Sequence, residues 1–116
     1  MLKTTLLVGL GGFAGTILRF WFGNLVKGNT FPATLFINIT GCLLIGLVMG
    51  MNWKNTNWPL ILGAGFCGGF TTFSAFSLEN ILLLEKGKFA TAGLYILLSL
   101  AGGLFATWIG FKLMTK

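Results

Sequence analysis

The chain has 116 residues, of which 55% are hydrophobic and 9% are charged, whereas an ordinary soluble domain has roughly 25% charged residues. A chain of this size has too little interior to bury so much apolar surface, so a soluble fold is excluded and a polytopic membrane protein is expected. Eight Lys and Arg against two Asp and Glu give a net charge of +6. We expect this charge to lie near anionic lipid headgroups rather than to bind nucleic acid.

The residue types also argue against an enzyme. The sequence contains no histidine and only two carboxylates. Acid–base, nucleophilic and transition-metal catalysis therefore lack their usual residues. The two cysteines, Cys42 and Cys67, lie inside apolar runs and are interpreted as buried free thiols.

Four apolar runs predict an all-α integral membrane protein with a single four-span domain over residues 1–116. The runs cover about 4–26, 33–52, 59–84 and 89–113. Helices are required because lipid offers no hydrogen-bond partner to exposed backbone groups. The first run is expected to be a retained span, since no small-residue cleavage site is followed by polar sequence.

Lys and Arg are divided equally between the two sides that four alternating spans would create. One side would hold Lys3, Lys54, Lys112 and Lys116, and the other would hold Arg19, Lys27, Lys86 and Lys88. Membrane orientation is set by an excess of these residues on one side. The equal division therefore predicts insertion in both orientations and antiparallel pairing; the alternative is that a weaker cue sets one topology.

The first two spans carry the first candidate site residues. Gly11 and Gly15 have the four-residue spacing that lets helices approach closely, and the same spacing recurs at Gly46 and Gly50 and at Gly65 and Gly69.

Arg19 is an ionisable residue inside an apolar run and is thus a functional candidate, with snorkelling to the interface as the alternative. In the second span, Thr34 and Asn38 share one helical face, and the Asn38 amide offers two N–H donors.

The third span is interrupted by small and polar residues. Gly68 and Gly69 followed by Thr71 and Thr72 predict a break near mid-membrane. Backbone carbonyls exposed by such a break would suit a hard cation. The alternative is close packing through a glycine face, with the Thr hydroxyls bonded to their own helix.

Further along the chain, aromatic and hydroxyl side chains recur at helical spacing. Phe73 and Phe76 lie near one another on one face, where their electropositive ring edges would stabilise an anion weakly; simple packing is the alternative. Glu79 is the second ionisable residue inside an apolar run, and it either pairs with another charge or lines a vestibule. In the fourth span, Tyr95 and Ser99 add hydroxyl donors on one face, unless they only bond to a neighbouring helix.

Three segments resemble motifs of the Fluc (CrcB) fluoride channel family. They are GlyGlyPheAlaGlyThrIleLeuArgPhe at 11–20, AlaThrLeuPheIleAsnIleThrGly at 33–41 and GlyGlyPheThrThrPheSerAlaPheSerLeuGlu at 68–79, which are similar to GGxxGAxxR[YF], GTLxVNxxG and GGxTTFSTFSxE. The departures from these patterns are Thr16 for Ala, Ala33 for Gly, Ile37 for Val and Ala75 for Thr. The resemblance covers essentially the whole chain, and the combination of motifs is specific.

The resemblance implies a passive fluoride-exporting channel in the bacterial inner membrane. It further implies an antiparallel, dual-topology homodimer with two pores at the subunit interface and a structural sodium ion at its centre, held by the backbone carbonyls of Gly68 and Thr71. Pore contacts are implied for Asn38, Phe73, Ser74, Phe76, Tyr95 and Ser99, to which Thr34 is added because it shares the face of Asn38. Arg19 and Glu79 are implied to lie toward the vestibules.

Two other classes of protein remain as alternatives. A small multidrug-type cation/proton antiporter also has about four spans, but it needs an acidic residue in its first span, where this chain has Arg19 instead. A structural membrane subunit would only pack against partners.

Overall fold

A computed structural model describes residues 1–26 and 32–115. Every regular element in these residues is helical, and four helical segments are long and apolar enough to cross a membrane. The prediction of an all-helical, multi-pass membrane protein is therefore confirmed. Lys27 and Lys116, which enter the division of charge between the two sides, lie outside the described residues.

The third of these segments is composite, whereas the other three are continuous. The continuous helices are α1 (Leu2–Leu25), α2 (Ala33–Gly50) and α5 (Phe89–Met114). The third segment consists of a π-helix over Leu60–Cys67, a short α3 over Gly68–Phe70 and α4 over Phe73–Glu85. Between α3 and α4, Thr71 has φ −87° and ψ 159° and Thr72 has φ −150° and ψ 120°, so both backbones are extended.

Helices α2 and α5 make the most extensive contact in the described part of the chain. A Cβ on Gly46 would strike the carbonyl oxygen of Thr107, and one on Gly50 would lie 2.5 Å from the carbonyl oxygen of Phe111. Gly50 comes four residues after Gly46 on α2, and Phe111 comes four residues after Thr107 on α5. The two helices therefore run parallel. The missing side chains let the two backbones meet directly.

Glycines also bring α1 against the third segment. A Cβ on Gly15 would strike the carbonyl oxygen of Phe66, and one on Gly69 would strike that of Gly12. Gly11 likewise has no room for a side chain, because its Cβ would strike the carbonyl oxygen of Ile61. The close helix approach predicted from the four-residue glycine spacing is confirmed.

A tight turn at Gly87 reverses the chain between α4 and α5. Gly87 has φ +73°, a left-handed backbone conformation that residues other than glycine rarely adopt. The turn sets α4 antiparallel to α5. As a result, Phe76 and Glu79 on α4 face Tyr95 on α5.

Candidate functional site

An open groove of about 410 Å³ runs along one side of the helices, where α2, the end of the π-helix, the start of α4 and the middle of α5 meet. Among its lining residues are several of the predicted site residues, namely Asn38, Gly68, Thr71, Phe73, Phe76 and Ser99. None of the described residues that line it carries a charge. The groove therefore combines apolar walls with a few polar groups.

The Asn38 side chain is bonded to the extended backbone between α3 and α4. Its Nδ2 donates to the Thr72 carbonyl oxygen at 2.9 Å, and its Oδ1 accepts from the Thr72 N–H at 2.8 Å. An amide has two N–H donors, so one donor of Asn38 remains for another acceptor. The sequence identified Asn38 as a donor. It did not show that the amide oxygen and one of the two N–H groups are bonded to the Thr72 backbone.

Thr72 also starts α4, a role that the sequence analysis missed. Its Oγ1 accepts from the Ala75 N–H at 3.1 Å and lies 3.1 Å from the Ser74 hydroxyl oxygen. This is the side-chain cap that a Thr immediately before a helix supplies. A Thr in front of the helical run beginning at Phe73 is the signal that would have identified it.

The carbonyl groups at the end of α3 have different partners. In a continuous helix, the N–H groups of residues 72 and 73 would bond to the carbonyl oxygens of Gly68 and Gly69. The Gly69 oxygen instead accepts from Arg19 Nε at 3.2 Å and from the Thr16 hydroxyl at 3.5 Å. Arg19 thus reaches the end of α3, and Thr16 is a neighbour of the site that the sequence analysis did not single out.

Glu79 is held by two hydroxyl groups. The Thr34 hydroxyl donates to Glu79 Oε2 at 2.9 Å, and the Tyr95 hydroxyl donates to Oε1 at 2.7 Å. Each side-chain oxygen of Glu79 therefore has its own hydroxyl donor, one from α2 and one from α5. All three residues were predicted to be site residues, but they lie outside the groove lining, and Glu79 does not pair with Arg19.

Aromatic rings connect this cluster to the groove. The Phe73 and Phe76 ring centroids lie 5.5 Å apart, which confirms that the two rings are adjacent. Phe76 meets Tyr95 edge to face at 5.1 Å. Phe73 is 77% exposed, whereas Tyr95 is 0% exposed.

The two remaining predicted hydroxyls differ in their surroundings. Ser99 lines the groove, and its Oγ is buried without a hydrogen-bond partner in the described part of the chain. Ser74 is exposed at the start of α4 beside Thr72. The groove therefore offers an amide N–H, a free hydroxyl and aromatic ring edges, all of which are weak donors for an anion.

The fold defines a polytopic membrane protein with a donor-lined groove, and comparison with known proteins identifies its family. The model of the family described as CrcB-like protein, Camphor Resistance (CrcB), matches residues 6–111. This chain belongs to the CrcB family.

Curated relatives match over nearly the whole chain. The fluoride-specific ion channel FluC of Pseudomonas fluorescens (strain Pf-5) is 46% identical, with 97% of this chain and 98% of that protein covered. The FluC proteins of Azobacteroides pseudotrichonymphae and Oceanobacillus iheyensis are 42% and 41% identical, with 97% of this chain covered in both cases and 97% and 92% of the relatives. These relatives are named as ion channels, so the comparisons confirm that the chain is not an enzyme.

Proposed function

We propose that this protein is a passive, fluoride-selective channel that exports fluoride across the bacterial inner membrane. The observation that carries the proposal is the groove, in which Asn38, Ser99, Phe73 and Phe76 come together without a charged lining residue among those described. Relatives that span the same length are named fluoride-specific ion channels. Fluoride holds its hydration shell tightly, so a pore must supply replacement donors that still let the ion leave.

The donors of the groove suit this task. Ser99 has a hydroxyl that no described group engages, and Asn38 keeps one amide N–H. The ring edges of Phe73 and Phe76 attract an anion weakly, because an aromatic ring has a positive edge. In the proposed pathway the ion exchanges water for these groups in turn and meets no charged side chain among the described residues that line the groove.

We assign the other predicted residues to the same pathway. Thr34 and Tyr95 hold Glu79 by its two carboxylate oxygens, and we assign this cluster to the continuation of the polar track beyond Phe76. Ser74 adds a second hydroxyl group beside that of Thr72 at the start of α4. Arg19, whose Nε donates to the Gly69 carbonyl oxygen, is proposed to lie toward the vestibule, where its charge would raise the local concentration of anions.

The channel is proposed to be an antiparallel, dual-topology homodimer with two pores at the subunit interface. The groove of a single chain is open along one side, and Phe73 is largely exposed there. In an isologous pair the same surface of both copies meets, so the second copy would close the groove. The equal division of Lys and Arg supports insertion in both orientations.

A structural sodium ion is proposed at the dimer centre, with the third span broken near mid-membrane. The carbonyl oxygens of Gly68 and Thr71 accept no hydrogen bond from the described residues. They are hard oxygen ligands at the surface that the second copy would cover, and such ligands fit a hard cation. When bound, the ion would neutralise these carbonyl dipoles and join the two subunits.

The alternatives have less support. Helix α1 contains no acidic residue, which a cation/proton antiporter would need in its first span. The curated relatives are named as channels and not as antiporters or accessory subunits.

The test is efflux from liposomes that contain the purified protein. Vesicles loaded with fluoride should empty rapidly when valinomycin supplies a potassium path, while vesicles loaded with chloride should retain it. Protein-free vesicles and vesicles containing a Phe73→Ile, Phe76→Ile double variant are the controls. Equal retention of fluoride with and without the wild-type protein would contradict the proposal.

A further inference from the structure

The amide of Asn38 lies where the two proposed ion sites meet. Asn38 lines the groove, and both of its hydrogen bonds go to the backbone of Thr72. Thr72 directly follows Thr71, a proposed sodium ligand. The inference drawn from this contact rests on the proposed function and assigns Asn38 a second role in it.

The first step concerns the Thr72 N–H. In an unbroken helix this group would donate to the Gly68 carbonyl oxygen, but here it donates to Asn38 Oδ1 at 2.8 Å. A buried N–H without an acceptor is costly, so without Asn38 it would turn toward a backbone carbonyl. Asn38 therefore keeps the Gly68 oxygen available.

The second step concerns the direction of the Thr71 carbonyl. The Thr71 C=O and the Thr72 N–H belong to one peptide group, which is planar and trans. In a trans peptide the two groups point in opposite directions. Because the N–H is held toward Asn38, the Thr71 oxygen is held pointing away from Asn38, out of reach of the amide.

The surface of α2 is shaped to receive this peptide. Gly41 lies three residues after Asn38, and a Cβ there would strike the Thr71 side-chain methyl. The Thr71 hydroxyl is in turn bonded to the Cys67 carbonyl oxygen at 2.9 Å. The Thr71 side chain is thus fixed on one side of the break, and the Asn38 amide fixes the peptide that follows.

We propose that Asn38 is a positioning residue for the cation site as well as a donor to the anion. Its Oδ1 frees the Gly68 oxygen and orients the Thr71 oxygen, while its second amide N–H is left for fluoride. One side chain therefore supports two sites, and its two atoms have separable functions.

The test compares the sodium dependence of thermal unfolding in three proteins. Wild type, Asn38→Ala and Ser99→Ala are titrated with sodium against N-methylglucamine at constant ionic strength, and fluoride efflux is measured on the same preparations. Asn38→Ala removes both hydrogen bonds to the Thr72 backbone and should need about tenfold more sodium for half-maximal stabilisation. Ser99→Ala removes a groove donor on α5 that makes no hydrogen bond to the described residues of the break. It should keep the wild-type sodium midpoint while its fluoride efflux falls.

A second variant separates the two atoms of the amide. Asn38→Asp keeps an oxygen that accepts the Thr72 N–H, but it has neither the N–H that donates to the Thr72 carbonyl oxygen nor the N–H left for the anion. It should therefore retain sodium stabilisation and lose fluoride efflux. This comparison also decides the matter if Asn38→Ala does not fold.

The outcomes distinguish this role from the channel function itself. If wild type conducts fluoride but Asn38→Ala keeps its sodium midpoint, or Ser99→Ala shifts as far, the positioning role is overturned and the channel remains. The same holds if Asn38→Asp loses its sodium response. A wild-type protein that sodium does not stabilise would overturn both the sodium site and the role of Asn38.

Discussion

The Phe76 ring meets the Tyr95 ring edge to face, with centroids 5.1 Å apart and ring planes at 78°. Tyr95 is fully buried and donates a hydrogen bond to Glu79, so Phe76 packs against a side chain that is held in place by its own contacts. Phe73, by contrast, is largely exposed, and its one ring contact among the described residues is a tilted one with Phe76. We therefore expect Phe76 to be oriented within one chain, whereas Phe73 becomes oriented only when a second copy covers it.

Replacing both Phe73 and Phe76 by Ile should slow fluoride flux by an order of magnitude or more, and replacing both by Met should slow it less. Ile roughly preserves apolar bulk but has no ring quadrupole, and two ring edges at an estimated ~1 kcal/mol each would account for this loss. Met retains a polarizable end that faces an anion better than Ile does. The measurement is fluoride efflux from liposomes.

The control for these variants is their dimeric state. Apolar swaps of similar volume usually cost less than about 1.5 kcal/mol, so the proteins should still elute as dimers. Wild-type flux through a well-folded Phe73→Ile, Phe76→Ile double variant would assign both rings to packing alone.

The Ser99→Ala variant should lose flux without losing stability. The Ser99 hydroxyl is buried and has no partner among the described residues, so its removal takes no hydrogen bond from the fold. Thr107→Val on the same helix is the matched control, because the Thr107 hydroxyl bonds to the Cys42 carbonyl oxygen at 3.0 Å and does not line the groove. Thr107→Val should cost about 0.5–1 kcal/mol of stability and leave flux unchanged. If Ser99→Ala kept wild-type flux while Thr107→Val lost it, Ser99 would not be part of the pathway.

Gly15→Ala should destabilise the protein, whereas Gly9→Ala on the same helix should not. A Cβ on Gly15 would strike the Phe66 carbonyl oxygen and lie 2.8 Å from the Phe70 nitrogen, while nothing lies within 4 Å of one on Gly9. Overpacking of this kind costs about 1–3 kcal/mol, and an exposed Gly→Ala change in a helix gains up to about 1 kcal/mol. Thermal unfolding in detergent measures both. Equal stability of the two variants would mean that α1 does not pack closely on the third segment.

Much of the fold follows from composition and periodicity, because lipid allows few alternatives. Apolar runs of sufficient length had to be helices, and the Gly11 and Gly15 spacing indicated a close contact that α1 indeed makes. Adjacent residues on one helix, such as Phe73 and Phe76, could also be placed from spacing.

Contacts between distant parts of the chain could not be predicted. Thr34 and Tyr95 are 45 and 16 residues from Glu79, and no local pattern shows that both donate to it. The use of the Asn38 amide by the Thr72 backbone was hidden for the same reason, since these residues are 34 apart. Sequence identifies polar residues that need partners, but only the packing of the helices decides which partners they have.

Both orientations of the chain should coexist in the membrane. A tag at the C-terminus, probed from each side of sealed vesicles with an impermeant reagent, should be accessible from both sides in comparable amounts. The reason is the equal division of Lys and Arg between the two sides. Adding three Lys to the 51–58 connector should bias the population to one orientation and reduce dimer formation. A single orientation of the unmodified protein would contradict the antiparallel dimer.

Selective, passive fluoride conduction is tested most directly by the reversal potential of the purified protein in a planar bilayer. Fluoride is ten times more concentrated on one side, chloride replaces it on the dilute side, and the pH is equal. The current should then reverse near the fluoride equilibrium potential, about 59 mV in magnitude for a monovalent ion. Imposing a pH gradient at constant fluoride should leave this potential unchanged. A reversal potential near zero, or one that follows the proton gradient, would contradict a fluoride-selective channel.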